Sequence, residues 1–530
     1  VSQPPSFEPY QPTWTQPAAE PPPPTGASGR GRTAALVTAV IVLIVALAAA
    51  GTVAVVQTTR LETARDRATE LADEVAARDA RIESLESGAA AAPDTPADPL
   101  EDLFGAGPEE LLDALEGLLE DGGVLDGDDP FGGDLEGLLQ GPQADTSGCL
   151  TDLEDIDDIT GDTVAEQITS SLDAVEAIRG EEFPGVLDPA ILTSEEVRDR
   201  IEEEIDSGYS AEAADIDLAM LSAIGAIPPG TDLRETQTEL LGDQVAGFYD
   251  PDTEELVVRS DDATDELDIA GLLTLVHELE HALADAVIGL PALDDNPGDE
   301  DGALAELAIV EGDAVALQTI ATAVAVSPGD LLGLLSDPDL LAAGAGLDEV
   351  PPYLASSLTF PYVAGPTFVC NAYAEGGWDA VDALLQAPPA TTAEVLFGGP
   401  VDPVDPEPLT GPEGHELVEE RTFGAAQLSW LFAAPGGDIS QALDDPVEQV
   451  RGWQGGRISL WRQADTTEAG GDVVALSFVD GGGLCDAVTE WWQRTEPRLG
   501  DRVGTIVCRG DQVMVGVADD EETAMAALGG

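Results

Sequence analysis

The spacing of hydrophobic positions changes repeatedly along the chain, and the changes divide it. Residues 1–32 are rich in Pro, Ser, Gln and Thr without an apolar period, which predicts a disordered Pro-rich tail. Residues 33–56, TAALVTAVIVLIVALAAAGTVAVV, are uncharged, apolar and long enough to span a bilayer. With a Pro-rich tail ahead of them and no small-residue cleavage site, they read as an uncleaved transmembrane helix and not as a signal peptide. Over residues 57–87, Leu61, Ala64, Ala68, Leu71, Val75, Ile82 and Leu85 recur at three- and four-residue steps, interrupted by Arg78. That seam predicts a helical, coiled-coil stalk that could pair with a second copy as a homodimer. Residues 88–148 are Pro/Ala-rich and then Leu/Gly/Asp-rich, an acidic flexible linker.

From Cys149 onward the pattern is that of a packed domain. Helical periodicity runs through residues 163–178, 194–205 and 211–224. Two β-prone runs, 245–249 and 255–259, flank the turn formers at 250–253 and predict a hairpin. Helices follow at 272–285 and 301–323. Near the end, β-prone runs at 458–462, 473–479, 505–508 and 512–517 alternate with helical stretches at 484–494 and 521–528. The expected fold class is α+β: a mainly helical core with a small edge sheet over 149–447, then an α+β region over 448–530.

Charge narrows the partners. The chain of 530 residues carries 20 basic residues, all arginine, against 105 acidic ones, for a net charge of −85. Such a surface repels nucleic acid and anionic lipid, so neither is expected as a principal partner. A solvated surface explains the acidity, and adaptation to high salt is the sharper reading. Cys149, Cys370, Cys485 and Cys508 stand at no metal-ligand spacing, which in an exported protein predicts two disulfides. Proximity favours Cys485–Cys508, leaving Cys149–Cys370. Arginines flank the apolar run on both sides, so orientation is taken from the paired cysteines and the long acidic remainder. The expectation is a single-pass cell-membrane protein with its N-terminus cytoplasmic and its bulk extracellular.

Candidate chemistry concentrates in residues 272–285, LLTLVHELEHALAD. His277 and His281 are four residues apart, one turn along a helix, and can hold one metal ion from the same face. Glu278 beside them is placed to act as a general base on water. The chain has only three histidines, so a third ligand to Zn2+ is expected to be a carboxylate. Glu311 is the choice, because it lies amid apolar residues where a charge needs a partner; Glu306 is the alternative. Asp285 and Asp313 are candidates to support the ligands, Asp285 either by accepting from a ligand histidine or by bracing the helix. Tyr249, Tyr362, Tyr373 and His415 are candidates to stabilise an oxyanion, with Tyr362 favoured.

These residues resemble a family of predicted bacterial zinc metallopeptidases of the gluzincin type, largely uncharacterised. The likeness lies in GFYDP at 247–251, HELEHALAD at 277–285 and LAIVEGDA at 307–314, with further matches at 360–378, 388–396 and 452–457. Phe397 stands where the family tends to have a histidine, and Gly456 alters the pattern before Arg457. The resemblance implies a zincin-like core, one Zn2+ held by His277, His281 and Glu311, and hydrolysis of a peptide or protein substrate with Glu278 as base. The alternative is a non-catalytic envelope binding or scaffold protein with a structural or vestigial metal site.

Overall fold

The computed structural model describes residues 146–150, 156, 159, 161, 163–185, 187, 189–244, 246–251, 253–260, 267–290, 298–326, 350–463 and 471–529. The tail, the apolar run at 33–56, the stalk and nearly all of the 88–148 linker lie outside the described residues. What is described is α+β.

The chain enters at Cys149, which is bonded to Cys370, and then forms helix α1, Val164–Arg179. Thr163 caps α1 by accepting from the Glu166 N–H, and Gly180, at φ 73°, ends it in the left-handed region. Strand β1, Ala190–Leu192, leads into helices α2, Ser194–Gly208, α3, Ala211–Ala223, and α4, Leu233–Gln244. Strands β2, Gly247–Asp250, and β3, Glu255–Arg259, form the hairpin, with β1 added in parallel on the other side of β3. The resulting sheet has the order β1-β3-β2, which leaves β2 at an edge.

Helix α5, Ile269–Val287, lies against this hairpin. Asp268 caps it, accepting the Gly271 N–H at 2.7 Å. Every residue from Gly271 to Ala284 is buried, so the histidine pair sits inside the protein. Helix α6, Glu300–Ala325, packs beside α5 and is long and apolar enough to cross a membrane, but 83% of its apolar window is buried inside the protein. It is a core helix. Helix α7, Pro352–Gly376, crosses α6 where glycine meets glycine. A Cβ on Gly365 would stand 1.9 Å from the Ala308 carbonyl oxygen, and one on Gly312 would stand 2.6 Å from the Gly365 backbone. Side chains there would force the helices apart, so the crossing depends on their absence.

The start of α6 is pinned by a buried polar hub. Asp301 accepts from both the backbone N–H and the hydroxyl of Thr392, at 3.0 and 2.5 Å, while its own N–H donates to the Thr422 hydroxyl. Thr392 opens helix α9, Thr392–Phe397, after α8, Trp378–Gln386. Thr422 ends strand β4, His415–Thr422.

Strand β4 is followed by α10, Ala425–Ala433, and by β5, Trp453–Gln463, and β6, Val473–Asp480. Then come α11, Leu484–Thr495, β7, Val503–Arg509, β8, Gln512–Ala518, and α12, Glu521–Ala527. The strands make an antiparallel sheet in the order β4-β5-β6-β8-β7. Its first strand lies upstream of residue 448, within the segment read from sequence as the catalytic domain. One apolar cluster also runs without a break from Val197 on α2 through Leu428 on α10 to Val517 on β8. The sheet therefore shares its core with the helices. Cys485 on α11 is bonded to Cys508 on β7, tying helix to strand.

Candidate metal centre

The α5 face that carries His277 also carries His281, and the two Nε2 atoms lie 3.2 Å apart. Glu311, on the neighbouring α6, points one oxygen at both: Oε2 is 3.3 Å from Nε2 of His277 and 3.5 Å from that of His281. All three are buried. Among the described residues this is the one group of three such side chains placed to hold a metal ion. The register of the two helices is held in part by Gln318, two turns beyond Glu311, whose side chain donates to the Leu273 carbonyl at 3.0 Å.

The triangle of ligand atoms is the size an ion requires. Ligands at about 2.0–2.1 Å in a tetrahedron stand roughly 3.3–3.4 Å from one another. The donor set is also one that wants a cation, since three lone-pair-bearing atoms crowd together and the other oxygen of Glu311 and Nδ1 of His277 have no hydrogen-bond partner. Electrostatics follow the geometry. Burial lowers His277, with its neighbour His281 acting in the same direction. For His281 burial alone would lower the pKa, but the Glu311 carboxylate outweighs it and raises it. Glu311, despite burial, is held at about 2 by the charge of His281 and the hydrogen bonds of both rings.

Glu278 projects from the flank of α5 that faces the hairpin. Gly247 of β2 makes this approach possible: a Cβ there would come within 2.6 Å of Thr274 and 3.4 Å of the Glu278 side chain. Glu278 is fully buried, with only the Tyr249 backbone N–H directed at its carboxylate. Burial pushes its pKa up to about 8, with His281 drawing it down and Glu311 pushing it further up. A carboxylate with this pKa is suited to exchanging protons near neutrality.

Of the oxyanion candidates, Tyr362 lies nearest the triad. It is buried on α7 with its ring 6.4 Å from that of His277 and nearly parallel to it. Tyr249 instead donates to Asp285 at 2.9 Å, Tyr373 packs edge-on against Trp378, and His415 sits on β4 with its ring beside the Glu413 carbonyl. Asp285 bonds to neither His277 nor His281: it accepts from Tyr249 and from the Leu290 N–H, bracing the end of α5 against β2. Glu306 is half-exposed on α6, outside the triad. Phe397 lies under the Arg451 guanidinium, and a Cβ on Gly456 would meet the Phe423 carbonyl at 2.3 Å.

Asp313 is buried with Glu280, the fourth residue of HELEH, and both face Arg179 at the end of α1. Burial raises Glu280, and the neighbouring Asp313 raises it further. Sequence reasoning missed Glu280 and Arg179. One signal was available: Glu280 is an acid within a helix whose other flanking residues are nearly all apolar.

No protein-family model, no curated protein and no solved structure matches the chain.

Proposed function

We propose that the chain is a zinc-dependent metallopeptidase of the gluzincin type, anchored by residues 33–56 with its catalytic domain outside the cytoplasm. The observation that carries this reading is the triangle of His277, His281 and Glu311, with edges of 3.2, 3.3 and 3.5 Å, beside the fully buried Glu278. A zincin-like core is supported by a helix bearing HExxH against a small mixed sheet and a glutamate from the next helix. Zn2+ bound there supplies a Lewis acid that makes water more acidic and polarises a carbonyl. Glu278 takes the proton from water and delivers it to the departing amine. We assign Tyr362, whose ring lies 6.4 Å from that of His277, the role of steadying negative charge on the scissile carbonyl oxygen. On this reading β2 is the sheet edge beside the site, with Gly247, Phe248 and Tyr249 buried and the Tyr249 N–H turned to Glu278.

Deep burial favours a second reading, in which the same ligands hold a structural ion, since His281 at 4% is the most exposed of the three ligands. Metal analysis and peptide-library cleavage by the purified full chain separate the two. The peptidase reading expects Glu278→Gln to keep zinc while losing about 10²–10⁴ in cleavage rate, and Glu311→Ala to lose zinc. Tight zinc in wild type with no cleavage of any peptide establishes the structural reading.

A further inference from the structure

Four helices meet behind the histidine pair at one arginine. Arg179, the last residue of α1, places Nε 2.6 Å from Glu280 on α5. Its Nη2 stands 2.9 Å from Asp382 on α8 and 3.8 Å from Asp313 on α6. The guanidinium lies 4.4 Å over the ring of Trp378, whose indole N–H donates to the Ile178 carbonyl of α1 at 2.7 Å. The side chain of Arg179 is 4% exposed, that of Glu280 0% and that of Asp313 2%.

The chain positions of these acids matter. Glu280 immediately precedes His281, and Asp313 follows Glu311 by two residues. On α5, Glu278 and Glu280 lie on opposite flanks of the histidine face, Glu278 toward the hairpin and Glu280 toward Arg179. Beyond Glu311, Leu317 and Ala321 join the apolar cluster of α5 and Gln318 bonds to Leu273, fixing α6 against α5 on that side; beside Glu311 itself the polar tie between the two helices runs from Asp313 through Arg179 to Glu280. A buried ion cluster is a weak source of stability, because desolvation offsets most of the attraction and apolar packing serves as well. It does fix position, since displacing a partner strands a buried charge.

We infer that Arg179 is a positioning residue for the metal centre, setting α5 against α6 through Glu280 and Asp313 so that Glu311 meets both histidines. The inference rests on the reading of His277, His281 and Glu311 as metal ligands. It goes beyond that reading by assigning a residue about a hundred positions upstream to the same site. Arg179 touches no ligand and takes no part in proton transfer; its action is geometric.

The test uses the purified full chain, titrated with Zn2+ against a competing chelator and with Co2+ as a spectroscopic probe. The paired variant Arg179→Met with Glu280→Gln removes both charges while keeping volume. It is expected to retain a cooperative metal-free melting transition yet weaken zinc by about 10–100-fold, the range for loss of groups that orient metal ligands. The visible band of the Co2+ form should shift as the ligand geometry relaxes. Arg179→Lys keeps the charge and loses the planar fork, and is expected to fall between the two at about fivefold. It carries the test if the paired variant does not fold. Zinc affinity within about twofold of wild type and an unchanged Co2+ spectrum, in a folded variant, overturn the inference and leave Arg179 as a fold element. Failure of wild type to take up zinc overturns the metal-centre reading, and the inference with it; the titration of wild type tells these failures apart.

Discussion

In the C-terminal sheet Asp472 is 2% exposed, and Arg462 closes both of its oxygens in a fork with contacts of 2.9 Å. In the helical layer Glu278 is buried at least as deeply and has no such partner. The two carboxylates meet the same desolvation cost in opposite ways. The sheet supplies a guanidinium, as a buried acid requires where stability is the only constraint. The helices leave His277 Nδ1 and one oxygen of Glu311 without hydrogen bonds and give the Glu278 carboxylate only the Tyr249 backbone N–H. On the proposed reading, the unpartnered groups around the histidine pair are those a bound cation would satisfy.

The largest test of this contrast is Glu278→Gln in the metal-free chain. Its carboxyl has an ordinary pKa of 4.5, pushed up to about 8 in the folded protein. A raised carboxyl contributes stability that is fully present below the unfolded value and is lost as pH rises through the folded one. Wild type should therefore lose stability between pH 4.5 and 8, and the glutamine variant should not lose this part. Chemical denaturation of the two at both ends of that window should show a gap of a few kcal/mol opening at the alkaline end. Parallel pH profiles would show that burial does not raise the Glu278 pKa.

Next in size is Gly365→Ala. Its Cβ would meet the Ala308 carbonyl at 1.9 Å, so α6 and α7 must separate one turn from Glu311. Overpacking of this kind should cost about 3 kcal/mol and weaken zinc as well, readable by urea unfolding and chelator competition. Asp472→Ala breaks the well-partnered pair in the sheet. It should cost about 2 kcal/mol, because Arg462 keeps Asp215 as a second partner at 3.1 Å. Zinc affinity should not change, and a change would mean that the sheet and the metal centre are energetically coupled. Smallest is Asp268→Ala, which removes the N-cap of α5 for about 1 kcal/mol in thermal melting, again without moving the ligands.

How much was legible depended on whether a residue's role was local. The histidine spacing, the hairpin around residues 250–253 and the C-terminal strands are written in periods of 3.6 and 2, and α6 extends the helix read at 301–323 by only a few residues. Strand β4 was not legible. Its sequence HELVEERT places acids on both faces of an edge strand, with Leu417 54% exposed, so no alternation announces it. The hub of Asp301 with Thr392 and Thr422 joins positions about a hundred apart, and no pattern along the chain links them. The same holds for Arg179 and Glu280.

The sequence by itself determined the histidine face of α5, because four-residue spacing on a helix fixes two side chains without reference to anything else. It also determined the strongly periodic stretches, among them α1, α5, α6 and the hairpin, and the acidity of the surface. Tertiary structure decided which acid joins the histidines, since only the packing of α6 against α5 brings Glu311 to Nε2 and leaves Glu306 half-exposed. It decided that Asp285 braces a hairpin, that Glu278 is fully buried, and that one arginine stands behind the histidine pair. Those outcomes depend on distances between segments far apart in the chain, which burial and close helix crossings set and local pattern does not.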